Sequence, residues 1–120
     1  MNWQERDGAI WVEAMPLSSL APGAPQRAIL SPSMPGWKSR YDLEVFIIGK
    51  GGEPPLVLSS ECTHQSCPVD WRETRFSCPC HGSAFDLEGK VLNGPATKPL
   101  LRPQVMIEGD SLWVRVRDQK

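Results

Sequence analysis

The sequence lacks an excess of charge of either sign. It has 13 Lys and Arg residues against 14 Asp and Glu residues, so the formal net charge at pH 7 is -1. Proteins that bind nucleic acid through the phosphate backbone normally carry a basic excess. The charge balance therefore excludes nucleic acid as a partner of this kind.

Long hydrophobic runs are also missing. No apolar run is longer than Val45-Phe46-Ile47-Ile48, which is far short of the roughly 18 residues that a membrane span needs. Residues 1–7 have neither the basic region nor the apolar region of a signal peptide. We expect either a soluble protein or one whose leader or membrane anchor lies ahead of Met1.

Few segments of the chain are long enough to form a helix without an interrupting proline. The chain carries 12 prolines along its length, and proline breaks the interior of a helix. Residues 16–20 leave room for one helical turn at most. Together with 10 glycines, the prolines favour short strands that are joined by many turns.

Strand-like runs, by contrast, are frequent. In the last of them Leu112, Val114 and Val116 share one face, as alternation along a strand predicts. We predict an all-β fold with about eight to ten short antiparallel strands in a sandwich or partly open barrel. The length of 120 residues fits a single domain, 1–120. The runs lie at residues 9–13, 26–30, 43–48, 55–59, 75–77, 84–87, 90–92, 104–108 and 111–116.

Every cysteine and histidine of the chain lies in one short window. The 4 cysteines and 2 histidines form two boxes, Cys-Thr-His-Gln-Ser-Cys-Pro at 62–68 and Cys-Pro-Cys-His-Gly-Ser at 78–83. Thiolates and neutral imidazoles are the ligands that zinc, copper and iron–sulfur groups prefer. The clustering indicates one shared site.

Three uses of these residues compete with an iron–sulfur site. Two structural disulfides would leave both histidines unexplained, and a chain of this length has core enough to fold without them. A zinc-stabilised interaction module is a second use, although zinc ligand pairs usually lie two to four residues apart and the first box has Cys-x-His. A catalytic Cys–His pair would leave most of the six residues idle. A zinc protein is colourless, so colour tests that alternative.

The two boxes, Cys-x-His and Cys-x2-His, resemble the pattern of Rieske [2Fe–2S] proteins. In that family two thiolates hold one iron and two neutral imidazoles hold the other. The resemblance implies that Cys62 and Cys78 bind one iron and that His64 and His81 bind the other. It also implies a Rieske-type antiparallel sandwich or partly open barrel, with a small cluster-binding subdomain at about residues 60–100.

Further residues match details of the same family. Cys67 and Cys80 resemble the disulfide pair of the quinol-oxidising subfamily, and Ser83 matches a serine whose hydroxyl donates to a bridging sulfide. Phe85 stands where high-potential members have a tyrosine that donates to a cysteine sulfur, which implies a lower potential here. Residues 94–100, Gly-Pro-Ala-Thr-Lys-Pro-Leu, resemble the stiff loop that covers the cluster.

The resemblance implies a one-electron carrier, the head domain of a cytochrome bc- or b6f-type quinol oxidoreductase. Such a domain is a redox subunit and not catalytic alone. Its implied partners are the quinol site at cytochrome b and a cytochrome that accepts the electron. A disulfide persists outside the cytoplasm, so we expect the extracytoplasmic, periplasmic face of a membrane, reached through an N-terminal anchor or export signal ahead of Met1.

An alternative within the same family is a soluble Rieske ferredoxin, or a small redox subunit of another oxidoreductase such as arsenite oxidase. Gln65 and Ser66 stand where many quinol-oxidising members have an apolar residue and a glycine. Both this departure and the lack of a hydroxyl at Phe85 favour the alternative.

Overall fold

The computed structural model describes residues 1–51, 54–63 and 67–116. Within these ranges the chain forms strands and two short 3-10 turns, with no α-helix. The all-β prediction is confirmed, and the turn Leu17–Ser19 is the single helical turn expected near Pro16. The strands are β1 (Trp3–Arg6), β2 (Ala9–Pro16), β3 (Gln26–Leu30), β4 (Leu43–Ile48), β5 (Leu56–Ser59), β6 (Asp70–Arg72), β7 (Arg75–Ser77), β8 (Ala84–Phe85), β9 (Val91–Asn93), β10 (Val105–Glu108) and β11 (Ser111–Val116).

The chain divides into two compact units. The first comprises Met1–Val57 and the chain from Pro103 onward, and the second is Leu58–Arg102. Within the described ranges no helix is long and apolar enough to cross a membrane. That residues 1–120 form a single domain stays a prediction.

The first unit is built on a four-stranded antiparallel sheet with the order β1-β2-β11-β10. Strand β11 alternates as predicted, because Leu112, Val114 and Val116 are all buried in the core. Strands β3, β4 and β5 form a second sheet in that order. Strand β4 is buried on both faces from Val45 to Ile48, so its apolar residues run without a break instead of alternating. Strand β5 carries the chain from the first unit into the second.

Side chains connect the two edge strands of the first sheet, β1 and β10. Gln4 Nε2 donates to Glu108 Oε1 at 3.1 Å, and Arg6 Nη2 meets Glu108 Oε2 at 2.6 Å. The hydrogen bond from Gln4, followed by the charge of Arg6, holds the pKa of Glu108 below its ordinary value. This network is on the surface of the unit that carries neither cysteine box.

The second unit has its own four-stranded antiparallel sheet, with the order β6-β7-β8-β9. Phe76 and Phe85 lie opposite each other across β7 and β8, and both are fully buried. Trp71 packs edge-on against Phe76 with ring centroids 4.8 Å apart. This aromatic core fixes the β7–β8 hairpin, whose connecting loop is the second cysteine box.

Candidate metal centre

The second box forms the loop at residues 78–83, between β7 and β8. Cys78 N–H donates to Ser83 O at 2.8 Å, and Gly82 N–H donates to Cys78 O at 2.9 Å. Gly82 has a φ of +82°, a conformation that glycine adopts without the steric penalty of a side chain. The closed loop buries the Cys78 side chain and leaves His81 exposed at its tip.

The first box follows β5 and is closed by its own backbone. Cys62 N–H donates to Cys67 O at 3.0 Å, and Val69 N–H donates to Ser60 O at 2.7 Å. Cys62 is buried, with 2% of its surface exposed. The predicted ligand His64 lies outside the described residues, as do Gln65 and Ser66.

A disulfide joins the two boxes. It links Cys67 to Cys80, with the two Cα atoms 6.4 Å apart. This is the pairing that the family resemblance implies, and it is confirmed. Cys62 and Cys78 stay outside any disulfide, so the alternative of two structural disulfides is wrong. Cys67 and Cys80 therefore crosslink the two loops, whereas Cys62 and Cys78 remain thiols.

Residues 94–100 are tied to both boxes by hydrogen bonds. Thr63 Oγ1, in the first box, donates to Lys98 O at 2.6 Å. Asn93 Nδ2, just before the loop, donates to Gly82 O of the second box at 3.2 Å. Leu100 is buried and closes the far end of the loop with a 2.8 Å hydrogen bond from its N–H to Gly89 O. The loop is therefore fixed to both boxes within the second unit.

The Ser83 side chain is wholly buried beside this loop, with 0% of its surface exposed. Its Oγ accepts a 3.0 Å hydrogen bond from the backbone N–H of Ala96. A serine hydroxyl has one proton to donate in addition to its acceptor lone pairs. Within the described ranges no protein group accepts that proton. A buried hydroxyl with an unused proton indicates an acceptor that the protein itself does not supply.

The donor set fits a Rieske [2Fe–2S] group. The two boxes offer two buried thiols, Cys62 and Cys78, an exposed imidazole at His81, and the unused proton of Ser83. Among the described residues, which omit His64, no three His, Cys, Asp or Glu side chains group closely enough to hold a single ion. The complete ligand set Cys62, Cys78, His64 and His81 stays a prediction.

Sequence reasoning did not find the residues that tie the loop to the boxes. Thr63 carried a signal, because it is a hydroxyl residue inside the Cys-x-His pair. Asn93 and Ala96 carried none, since one is an ordinary strand residue and the other acts through its backbone amide.

Comparisons with known proteins place this site in a family. The Rieske [2Fe-2S] domain profile matches residues 10–109. The chain is 37% identical over 82 residues to the cytochrome b6-f complex iron-sulfur subunit 2 of Nostoc sp., an alignment that covers 57% of this chain and 46% of the relative. The chain therefore spans about half the length of that curated relative.

Two solved structures share the fold. One is the plasma membrane Rieske protein from the cyanobacterium Synechocystis, with 30% identity, a TM-score of 0.53, and coverage of 73% of this chain and 84% of the other. The other is a chain of a hyperthermophilic respiratory Complex III, with 28% identity, a TM-score of 0.58, and coverage of 82% and 71%.

The fold, the boxes and the matches define an electron-transfer domain. This chain belongs to the Rieske [2Fe-2S] domain family. It is homologous to the iron–sulfur subunits of cytochrome b6-f complexes. Membership implies a Rieske-type [2Fe–2S] cluster as its cofactor.

Proposed function

We propose that this chain is the electron-accepting head of a quinol–cytochrome oxidoreductase of the bc or b6f type. Cys62 and Cys78 would hold one iron, and His64 and His81 would hold the other. The partners would be a quinol bound at cytochrome b and a cytochrome that takes the electron onward. The domain would work at the extracytoplasmic face of a membrane, held there by an anchor ahead of Met1.

The observation that carries this proposal is the Cys67–Cys80 disulfide beside two buried thiols. A ligand pair alone would suit any Rieske domain. The extra cysteine pair is what the quinol-oxidising subfamily has and what Rieske ferredoxins normally lack. It also fits the small redox subunit of an oxidoreductase such as arsenite oxidase. A disulfide also suits an oxidising compartment, which supports the proposed side of the membrane.

The side chains of the site would have different roles in electron transfer. When bound, the cluster supplies an acceptor for one electron at a time. The exposed His81 offers an imidazole nitrogen that accepts a hydrogen bond from a quinol hydroxyl and can then hold the proton. Cys62 and Cys78 are shielded from water, which protects the thiolates from exchange. The Ser83 hydroxyl adds a hydrogen-bond donor from inside the protein.

The test of this function is the reduction potential of the purified, coloured protein, measured against pH by voltammetry. We expect a positive potential that falls as pH rises through the neutral-to-alkaline range. The reason is that reduction adds negative charge beside the two imidazoles and favours their protonated form. Proton uptake on reduction becomes less favourable as pH rises.

The same titration separates the alternatives. A negative potential that stays flat across that range would contradict the quinol role and favour a ferredoxin or another small redox subunit. A colourless protein with no voltammetric response would contradict the cluster itself and favour zinc.

Replacing Ser83 with alanine is expected to keep the cluster and lower its potential. A hydrogen bond to a charged acceptor contributes about 1.5–3 kcal/mol, so the expected fall is on the order of 100 mV for a one-electron couple. The fall follows because a donor stabilises the more negative, reduced state. Ser77→Ala, at a partly exposed serine of β7, is the matched control and should leave the potential unchanged. An unaltered potential in Ser83→Ala would refute the donor role of this hydroxyl.

A further inference from the structure

We propose that the backbone N–H of Ala96 is a positioning group for the redox centre, because it orients and polarises the Ser83 hydroxyl. The hydrogen bond that shows this is 3.0 Å long and wholly buried. Through it, residues 94–100 would adjust the reduction potential without contributing any ligand. The inference rests on the proposed function, since it needs a cluster near Ser83.

The hydrogen bonds at Ser83 fix the direction of its hydroxyl proton. The Ala96 N–H occupies one lone pair of the hydroxyl oxygen, so the hydroxyl proton must point away from Ala96. With 0% of Ser83 exposed, water has no access to turn the hydroxyl round. Ser83 O is also engaged, because it accepts from Cys78 N–H at 2.8 Å. Side chain and backbone of Ser83 are therefore both held in place, and one proton is left to donate.

The Ala96 N–H also affects how strong a hydrogen-bond donor the Ser83 hydroxyl is. A hydroxyl that accepts a hydrogen bond becomes a better donor, since linked hydrogen bonds polarise one another, most of all in a buried setting. A stronger donor stabilises a reduced cluster more than an oxidised one, because the reduced state carries more negative charge. Loss of the Ala96 N–H should therefore lower the potential although Ser83 itself is kept.

Ala96 is itself held in place by its surroundings. Its side chain is buried, with 3% exposed, and the loop around it is fixed on both sides. Asn93 binds Gly82 O, and Thr63 binds Lys98 O at 2.6 Å. These contacts fix the position of the Ala96 amide relative to Ser83 within the second unit. Ala96 is thus a built part of the site, whereas its neighbour Thr97 is exposed.

The experiment is a double-mutant cycle on the cluster-loaded protein, with the reduction potential as the measurement. Ala96→Pro removes the N–H and keeps a small apolar side chain. Alone, it should weaken the preference for the reduced state about 1.3-fold to fivefold, because a linked hydrogen bond strengthens a donor by roughly 10–30%. A tenfold change is 59 mV for a one-electron couple. Combined with Ser83→Ala, it should add no further shift, because its effect passes through that hydroxyl.

Two controls distinguish the loss of the Ala96 N–H from a general distortion of residues 94–100. Thr97→Pro places the same ring one residue later, where the N–H has no acceptor in the described part of the chain. This variant should leave the reduction potential unchanged. If Ala96→Pro prevents folding, incorporating lactic acid at position 96 turns the amide into an ester. This change replaces the N–H with an ester oxygen and keeps the alanine side chain, and a shift in the same direction is expected.

The outcomes are distinct. Equal shifts in the parent background and in the Ser83→Ala background would overturn the inference, because the loop would then act independently of the hydroxyl. No shift in either background would overturn it as well, and the proposed function would stand in both cases. A parent protein with no Rieske signal would overturn the proposed function and this inference together.

Discussion

Replacing either histidine with alanine, His64→Ala or His81→Ala, is expected to abolish the [2Fe–2S] cluster. Each change would remove one of the two neutral imidazoles that we propose hold the same iron, and an alanine methyl group cannot replace a ligand. The expected result is a colourless or fast-bleaching protein with no Rieske signal in electron paramagnetic resonance after reduction. Iron and acid-labile sulfide content measure the same loss chemically.

The control for this experiment is Lys90→Ala, a change of an exposed cation in the same unit. It should leave colour, iron content and spectrum intact. Circular dichroism of each histidine variant checks that the strands still form. A normal Rieske spectrum in either histidine variant would remove that residue from the ligand set.

The double variant Cys67→Ser/Cys80→Ser is expected to fold less stably and to lose its cluster faster. The disulfide closes a loop with a sequence separation of 13. A crosslink over a loop of this size stabilises the folded state by about 3 kcal/mol in the chain-entropy description. For a domain near this length the expected fall in Tm is about 10–20 °C. Thermal melts followed by circular dichroism measure the Tm, and bleaching at a fixed temperature measures the lifetime of the cluster.

The matched comparison is Cys62→Ser, the same chemical change at a proposed ligand. That variant should keep the disulfide and lose the cluster outright. The double variant should load a cluster and then release it. If the double variant kept both the parent Tm and the parent cluster lifetime, the disulfide would have no structural role at the site.

Two strands were missed in the sequence, one that carried a recognisable signal and one that did not. Strand β1, missed in the sequence, begins the chain and pairs with β2 across Asp7-Gly8. Both turn residues have positive φ, +55° and +78°, and Asp-Gly is a strong hairpin signal. Strand β1 could therefore have been predicted, but its polar residues at an edge hid the alternation.

Strand β6, also missed, carried no comparable signal. It turns into β7 at Glu73, which has a φ of +57°. A glutamate seldom adopts that conformation, and no glycine or asparagine marks the turn. The packing of Trp71 against Phe76 holds this hairpin, and such packing is visible only in three dimensions.

The part of the site that depends on the identity of side chains was predictable from the sequence. Spacing and residue type marked the two boxes, and the family pattern implied the Cys67–Cys80 pair that the structure contains. The contacts that fix the covering loop use backbone groups, such as the Ala96 N–H and the Lys98 carbonyl. Every residue has these groups, so the sequence cannot indicate which of them will be used.

The second unit is also an insertion that is closed at its own base. Ser59 N–H donates to Leu101 O at 2.8 Å, just inside the ends of Leu58–Arg102. When the ends of an insertion already meet, its length has only a weak effect on the entropy of the chain that flanks it. We therefore expect that loops of the second unit can be lengthened, shortened or exchanged while β2 and β11 keep their register. For protein engineering, the second unit is therefore a segment that can be exchanged whole. The joins of such a graft should lie at the hydrogen bond between Ser59 and Leu101.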